Sequence, residues 1–352
     1  MAGVYGRVFV YYPRGTRTGG PEALHQLVHH LRAIEVDATL VPLPGMEHVP
    51  RVREYDKYDA PEVSRIEDAP GNAVIVPESA ISTLRRVRSA ERIIWWLSID
   101  NAMPFLPTQE RLDRKFTARL GVPHVPWAPS AKVAIERHVM AAMPMGEILR
   151  SSKHLAQSAY ARAYIQTHYG MAGTFVTDYI PRSTTGEREA HTPRSKSIAF
   201  NPKKAPWVPD LLGPLLPGVE WHRLEGLSAE GVADMLRRSA VYFDPGYHPG
   251  RDRMPREAAL NGAVTMVARR GAGAYWGDVP IADQFKVTSS RDFATDAAGR
   301  IAAVLRDVSS AVEAQEGYLN WILDDEKRFA QEVRRAFIEG RWEDDSPLTG
   351  AN

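Results

Sequence analysis

The chain has 352 residues, 44 of them lysine or arginine, 43 aspartate or glutamate, and no cysteine. That length suits two domains of ordinary size, the near-neutral charge argues against a bulk field for nucleic acid or anionic membrane, and the lack of cysteine excludes disulfides, thiolate catalysis and cysteine metal sites. Apolar residues make up 44% and charged residues 25%, a globular composition; with no signal-peptide layout and no apolar run near the ~20 residues of a membrane span, a cytoplasmic location is expected.

Taken in order, RVFVYY at Arg7–Tyr12 reads as a buried strand. The loop PRGTRTGG follows, and PEALHQLVHHLRAI has helical apolar spacing. Gly19 and Gly20 stand at the turn and Pro21 suits the first helical turn. Glycines there let the backbone approach a ligand, and amides at a helix start receive phosphate or sugar oxygens. The loop is neither G-x-G-x-x-G nor a Walker A sequence, and plain loop geometry explains it equally well.

Ala38–Val41, Asn72–Val76 and Arg92–Leu97 read as three more strands. The last two end at Pro77-Glu78-Ser79 and Ser98-Ile99-Asp100-Asn101. In open α/β sheets ligands bind beyond the carboxyl ends of the strands. Glu78 and Asp100 are therefore candidates to orient or deprotonate a hydroxyl; helix capping is the competing role. Trp95 and Trp96 read as core packing. The polar segment at residues 45–70 is a long connection or an acceptor-side loop. Ser158 starts a further helix that Gly170 ends, and TFVTDYI resembles one more short strand.

PRSTTGEREAHTPRSK is the best linker in the chain, placing a domain boundary near residue 185. Beyond it SIAF reads as a strand, followed at once by NPKKAPW. Lys203 and Lys204 can supply mobile positive charge beside a phosphate there, or simply face solvent. GVEWHRL is a short strand; a helix starts near Ser228, SAVYFD is a strand ending at Asp244, and IADQFKV supplies a late short strand. From Arg291 onward the pattern is mainly helical, with Phe329, Val333 and Phe337 on one face.

The most informative stretch is YFDPGYHPGRDRMPREAALNG, Tyr242–Gly262. Pro255 opens a helical run and AVTMV follows as a strand. A helix start beside Arg251, Arg253 and Arg256 offers N–H groups and positive charge to a phosphate. Glu257, in the same turn, could read hydroxyl groups of the same ligand. An ion-paired surface loop is the alternative.

Two alternating β/α halves, each with an anion-friendly loop after its first strand, point to two Rossmann-like domains facing a cleft, residues 1–185 and 186–352. YYPRGTRTGGPEALHQL, AFNPKKA, HLAQSAYARAYIQTHYG and DPGYHPGRDRMPREAALNGAVTM together resemble the GT-B glycosyltransferases, especially their large retaining group. The resemblance implies a donor site in the second domain. Glu257 would contact the ribose, Lys203 or Lys204 would stand near the basic diphosphate residue, and Gly19 and Gly20 would approach the donor from the first domain. The usual arginine–lysine pair is absent and Gly250 stands seven residues before Glu257, so Arg251 or Arg253 would supply diphosphate contacts instead. The terminal helices would pack back on the first domain.

The implied activity is metal-independent transfer of a sugar from a nucleoside-diphosphate sugar to a hydroxyl of a carbohydrate or glycoconjugate. The nucleoside diphosphate acts as co-substrate, with no resident cofactor. Glu78 or Asp100 would serve the acceptor. Two other readings remain: a non-catalytic nucleotide- or sugar-binding protein, and a transferase acting on modified nucleic acid.

Overall fold

The computed structural model describes residues 3–102, 145–181 and 195–343. The linker, residues 181–196, within which the domain boundary was expected near residue 185, lies mostly outside the described residues. The chain divides into two compact units. Among described residues, unit 1 holds 3–102, 145–178 and 327–343, and unit 2 holds 179–181 and 195–326.

Unit 1 is built on a six-stranded parallel sheet. Its strands are β1 (Arg7–Tyr12), β2 (Asp37–Pro42), β3 (Ala73–Pro77), β4 (Glu91–Trp96), β5 (Lys153–Ala156) and β6 (Thr174–Phe175), in the order β2-β1-β3-β4-β5-β6. Every residue of β3 is buried, which explains its unbroken apolar sequence: a parallel strand is covered on both faces. Helix α1 (Gly19–Ala33) joins β1 to β2. It begins at Gly19, so the two glycines expected in the turn are the helix's first residues. Helix α2 (Met145–Arg150) precedes β5. Helix α3 (Ala159–Tyr169) starts and stops where its sequence directs: the Ser158 hydroxyl accepts the Ala161 N–H at 2.9 Å, and Gly170 closes the helix at φ 69°. Trp95 and Trp96 are fully buried, as core packing requires.

Unit 2 carries a five-stranded parallel sheet in the order β11-β10-β9-β7-β8. The strands are β7 (Ser195–Phe200), β8 (Glu220–Arg223), β9 (Ser239–Asp244), β10 (Val264–Ala268) and β11 (Lys286–Val287). Between them run α4 (Val208–Leu212), α5 (Ala229–Arg238) and α6 (Arg253–Leu260). The Ser228 hydroxyl accepts the Gly231 N–H at 3.1 Å and starts α5. Helix α6 begins at Arg253, two residues before the proline expected to open it, and Pro255 lies within its first turn. Helices α7 (Phe293–Arg306), α8 (Val308–Glu313) and α9 (Glu316–Leu323) cover the sheet through Phe293, Ile301, Val304, Tyr318 and Ile322.

In each sheet the first strand lies between the second and third, so chain direction along the sheet reverses between β1 and β3 and again between β7 and β9. The carboxyl ends at such a reversal are splayed apart by loops leaving in opposite directions, which opens a crevice for ligand. No helix among the described residues is long and apolar enough to cross a membrane.

Helix α10 (Asp325–Phe337) begins in unit 2 and ends in unit 1. Within unit 1, Phe329 packs against His30 at a ring separation of 5.0 Å and stacks on Trp95 at 6.5 Å. Glu332 accepts both the N–H and the hydroxyl of Thr177 at 2.8 Å. Phe329 is completely buried. Truncation to alanine should destabilise unit 1 by about 3–5 kcal/mol, read as a lower urea midpoint in the unfolding of the full chain.

Candidate functional site

The reversal point of unit 2 gathers a cluster of charged groups at the strand ends. Lys204 follows β7 by four residues, and Asp244 is the last residue of β9. The Lys204 ammonium lies 3.3 Å from Asp244 Oδ2 and also bonds Asp252 Oδ2. Tyr242 donates its hydroxyl to Asp244 Oδ2 at 3.0 Å, and the Gly246 N–H donates to Oδ1 at 3.1 Å. His248 Nδ1 donates to Asp252 Oδ2 at 2.8 Å. Asp244 and His248 are buried, whereas Lys204 and Asp252 each keep a side-chain exposure of 23%. The exposed part of the cluster is thus one ammonium and one carboxylate.

The charges sustain one another. Burial alone would lower the Lys204 pKa, but Asp244 and Asp252 outweigh it and hold the ammonium well above the ordinary lysine range. Burial would likewise raise Asp252, but Lys204 and the His248 hydrogen bond hold it well below the ordinary carboxylate range. Asp244, His248 and Asp252 offer ligand atoms within 4.8 Å of one another, a spacing that a metal ion could bridge. The Lys204 ammonium stands among these groups and supplies positive charge to both carboxylates.

Helix α6 leaves this cluster. Arg253 Nε bonds Glu257 Oε1 at 3.1 Å across one turn, with both side chains about a quarter exposed. Arg253 and Glu257 therefore pair with each other at the accessible start of α6, the ion pairing that the sequence offered as the alternative to a ligand. Arg251 does not join them. Its side chain is 1% exposed; the guanidinium donates to Asp325 at 2.8 and 3.1 Å and lies 4.5 Å over the Trp321 ring. Arg256 is equally buried, reaching Asp325 at 3.3 Å and the Arg251 carbonyl at 3.1 Å. Arg251, expected on a diphosphate, is turned inward because a buried carboxylate takes its charge. Lys203 is exposed, and its backbone N–H is held by the Asn201 side chain at 3.0 Å.

At the reversal point of unit 1, the candidates occupy the ends of β1, β3 and β4. Among the described residues, a Cβ built on Gly20 would meet Leu97 Cδ1 alone, at 3.8 Å. Thr18, at the N-cap of α1, makes no side-chain cap. Glu78 is 2% exposed and accepts the Leu97 N–H at 2.8 Å, tying the end of β3 to the end of β4. Asp100 is buried in the turn Ile99–Asn101 after β4. Glu78 and Asp100 thus share one sheet edge, but Glu78 braces the backbone from inside.

Sequence reasoning missed Asp244, His248, Asp252 and Asp325. The first three recur every fourth residue, as D-x-x-x-H-x-x-x-D, and that spacing was the available signal. Asp325 carried none, since its partners lie some seventy residues away.

No family profile and no curated protein sequence matches the chain. Solved structures do. A sucrose-phosphate synthase from Thermosynechococcus elongatus aligns over 94% of this chain and 98% of its own, with a TM-score of 0.59 and 10% identity. Anabaena HepE in complex with UDP-glucose covers 94% and 98%, with a TM-score of 0.57 and 9% identity. A glycosyltransferase from Rickettsia africae covers 94% and 98%, with a TM-score of 0.51 and 10% identity.

Burial raises the Glu78 carboxyl from 4.5 to about 7, against the pull of the Leu97 and Ser98 N–H groups and the Asn101 side chain. The folded chain therefore holds this proton more tightly than the unfolded chain does. Stability contributed by Glu78 is greatest below the unfolded value and falls as pH rises toward 7. Glu78→Gln removes that slope. The variant should gain on the wild type by up to about 3 kcal/mol between pH 4.5 and pH 8, measured by urea unfolding of both proteins across that range. With two parallel sheets of six and five strands, their helices, and end-to-end likeness to these structures, the chain has the two-domain α/β GT-B fold.

Proposed function

We propose that the protein is a glycosyltransferase that moves a sugar from a nucleoside-diphosphate sugar to a hydroxyl acceptor. The observation that carries this reading is the carboxyl edge of unit 2. There an accessible helix start, Arg253, Glu257 and Lys204 surround the reversal point of the sheet. HepE, one of the similar structures, was solved with UDP-glucose, and its likeness covers nearly the whole chain.

The electrostatics suggest a division of labour. Lys204 already faces two carboxylates, so that cluster alone is a poor anion site. The diphosphate is better served by the N–H groups at the start of α6, with Arg253 beside them and exposed Lys203 next to Lys204 in the chain. Glu257 would turn from Arg253 to the ribose hydroxyls. Splitting a quarter-exposed ion pair requires little energy, because such pairs contribute about 0–1 kcal/mol. Arg251 acts from behind: with Arg256 it fixes α6 on Asp325. As the anomeric C–O bond breaks, the leaving diphosphate gathers negative charge, and donors already in place stabilise it without reorganising.

In unit 1, Asp100 is the candidate to orient the acceptor hydroxyl, with Glu78 holding the loop that carries it. A carbohydrate or glycoconjugate acceptor suits the near-neutral charge, with residues 45–70 shaping its site.

Arg253→Ala and Glu257→Ala should each weaken nucleoside diphosphate binding by roughly 1.5–3 kcal/mol, the range for a charge-assisted hydrogen bond. Calorimetry checks this, and unchanged affinity in both variants would remove them from the donor site. Incubation with a panel of nucleotide sugars and hydroxyl acceptors should release nucleoside diphosphate and yield glycosylated product. Tight binding with neither transfer nor hydrolysis across the panel would identify a binding protein instead. The anomer formed then assigns a retaining or inverting outcome, and loss of transfer with intact donor affinity in Asp100→Asn would place Asp100 at the acceptor.

A further inference from the structure

His248 stands at the junction of three loops of unit 2 and has no part in the reading above. Its ring is 1% exposed. Nδ1 donates to Asp252 Oδ2 at 2.8 Å, and Nε2 lies 3.4 Å from the Asp244 carbonyl oxygen. Its own carbonyl accepts the Ala272 N–H, from the loop after β10, at 2.8 Å. That loop is shaped around it. A Cβ on Gly271 would fall 2.0 Å from the His248 carbonyl oxygen, and one on Gly273 would fall 3.1 Å from the ring. Gly271 also has φ 55°, which favours glycine. The loops after β7, β9 and β10 therefore meet through Lys204, His248 and Ala272.

A second observation concerns Asp252. It occupies the N-cap of α6, where an aspartate ordinarily accepts an N–H from the second or third helical residue. The third residue is Pro255, which has no N–H, so Met254 is the natural target. The Asp252 carboxylate makes no such cap. It is drawn sideways to Lys204 and His248 instead.

We propose that His248 is a positioning residue for the donor site, holding the Asp252 carboxylate against Lys204 and so keeping it off the first turn of α6. The proposal rests on the donor-site reading. Without the imidazole, Asp252 would be left with an ammonium shared with Asp244 and borne on a flexible four-carbon stem. The carboxylate would then swing to cap its own helix. Its oxygen would take the N–H group, and its charge would occupy the ground, that the diphosphate needs.

The test is calorimetric titration of the full chain with uridine, adenosine, guanosine and thymidine diphosphates, on the wild type and four variants. His248→Leu should bind the preferred nucleotide about tenfold more weakly, the scale of one charge-assisted hydrogen bond. His248→Asn, whose amide can donate from near the place of Nδ1, should stay within about threefold of the wild type. The double variant His248→Leu with Asp252→Ala should recover most of the lost affinity, because no carboxylate remains to close the helix. A purely structural role for His248 predicts no such rescue. Equal affinity of His248→Leu and the wild type, or no recovery in the double variant, would overturn the proposal. If His248→Leu does not fold, Asp252→Ala decides: affinity equal to or above the wild type supports the proposal, and a loss of about tenfold overturns it by making Asp252 a ligand contact. Failure of the wild type to bind any of the four nucleotides would sink the donor-site reading itself, a result distinct from all of these.

Discussion

A lysine ammonium shared between two aspartates organises the carboxyl edge of the second sheet. Lys204 comes from the loop after β7, while Asp244 and Asp252 bound the loop after β9. The two strands are neighbours in the sheet, but their loops diverge at the reversal of strand order. Opposite charge draws the loops back together. The buried Asp244 carboxylate is satisfied three ways, by Lys204, Tyr242 and the Gly246 N–H. Removing any one partner would leave charge in a low dielectric, so the members of the cluster depend on one another.

Helix α6 is fixed from its other side by a second buried centre. Asp325 receives both Arg251 and Arg256, and none of the three side chains reaches solvent. Two guanidinium groups on one carboxylate leave positive charge in excess, while the Lys204 cluster holds carboxylate in excess. The start of α6 lies between these opposite fields, with Arg253 and Glu257 as its accessible charges. A helix terminus held on both flanks by ion-paired clusters is preorganised, and preorganised dipoles are those that stabilise charge developing on a leaving group.

Much of this was legible in the sequence. SAVYFD marked β9 at its bounds, because a parallel strand buried on both faces is almost continuously apolar, whereas α6 begins two residues before the proline expected to open it. Ser158 and Gly170 marked the ends of α3 through local hydrogen bonding and backbone geometry alone. Strand β5, KHLA, was not found: four residues carry no period, and only pairing with β4 defines the strand. The late strand IADQFKV shrank to Lys286–Val287 for the same reason. At the site, Arg253 and Glu257 could be paired by reading because they are one helical turn apart. Arg251 could not be separated from them, since its partner Asp325 lies 74 positions along the chain. Glu78 was placed at the right sheet edge, but its inward direction depends on the Leu97 N–H of a different strand.

On the proposed function, unit 2 binds the nucleoside diphosphate at the carboxyl ends of β7 and β9. Hydrogen exchange read by mass spectrometry, with and without saturating nucleoside diphosphate, tests it most directly, because amide protection reports where the ligand lies without any substitution in the site. The account predicts slowed exchange in peptides covering residues 201–206 and 244–257, centred on the first turn of α6. Protection confined to the sheet edge of unit 1 at residues 13–22 and 78–101, with exchange at 244–257 unchanged, would contradict it.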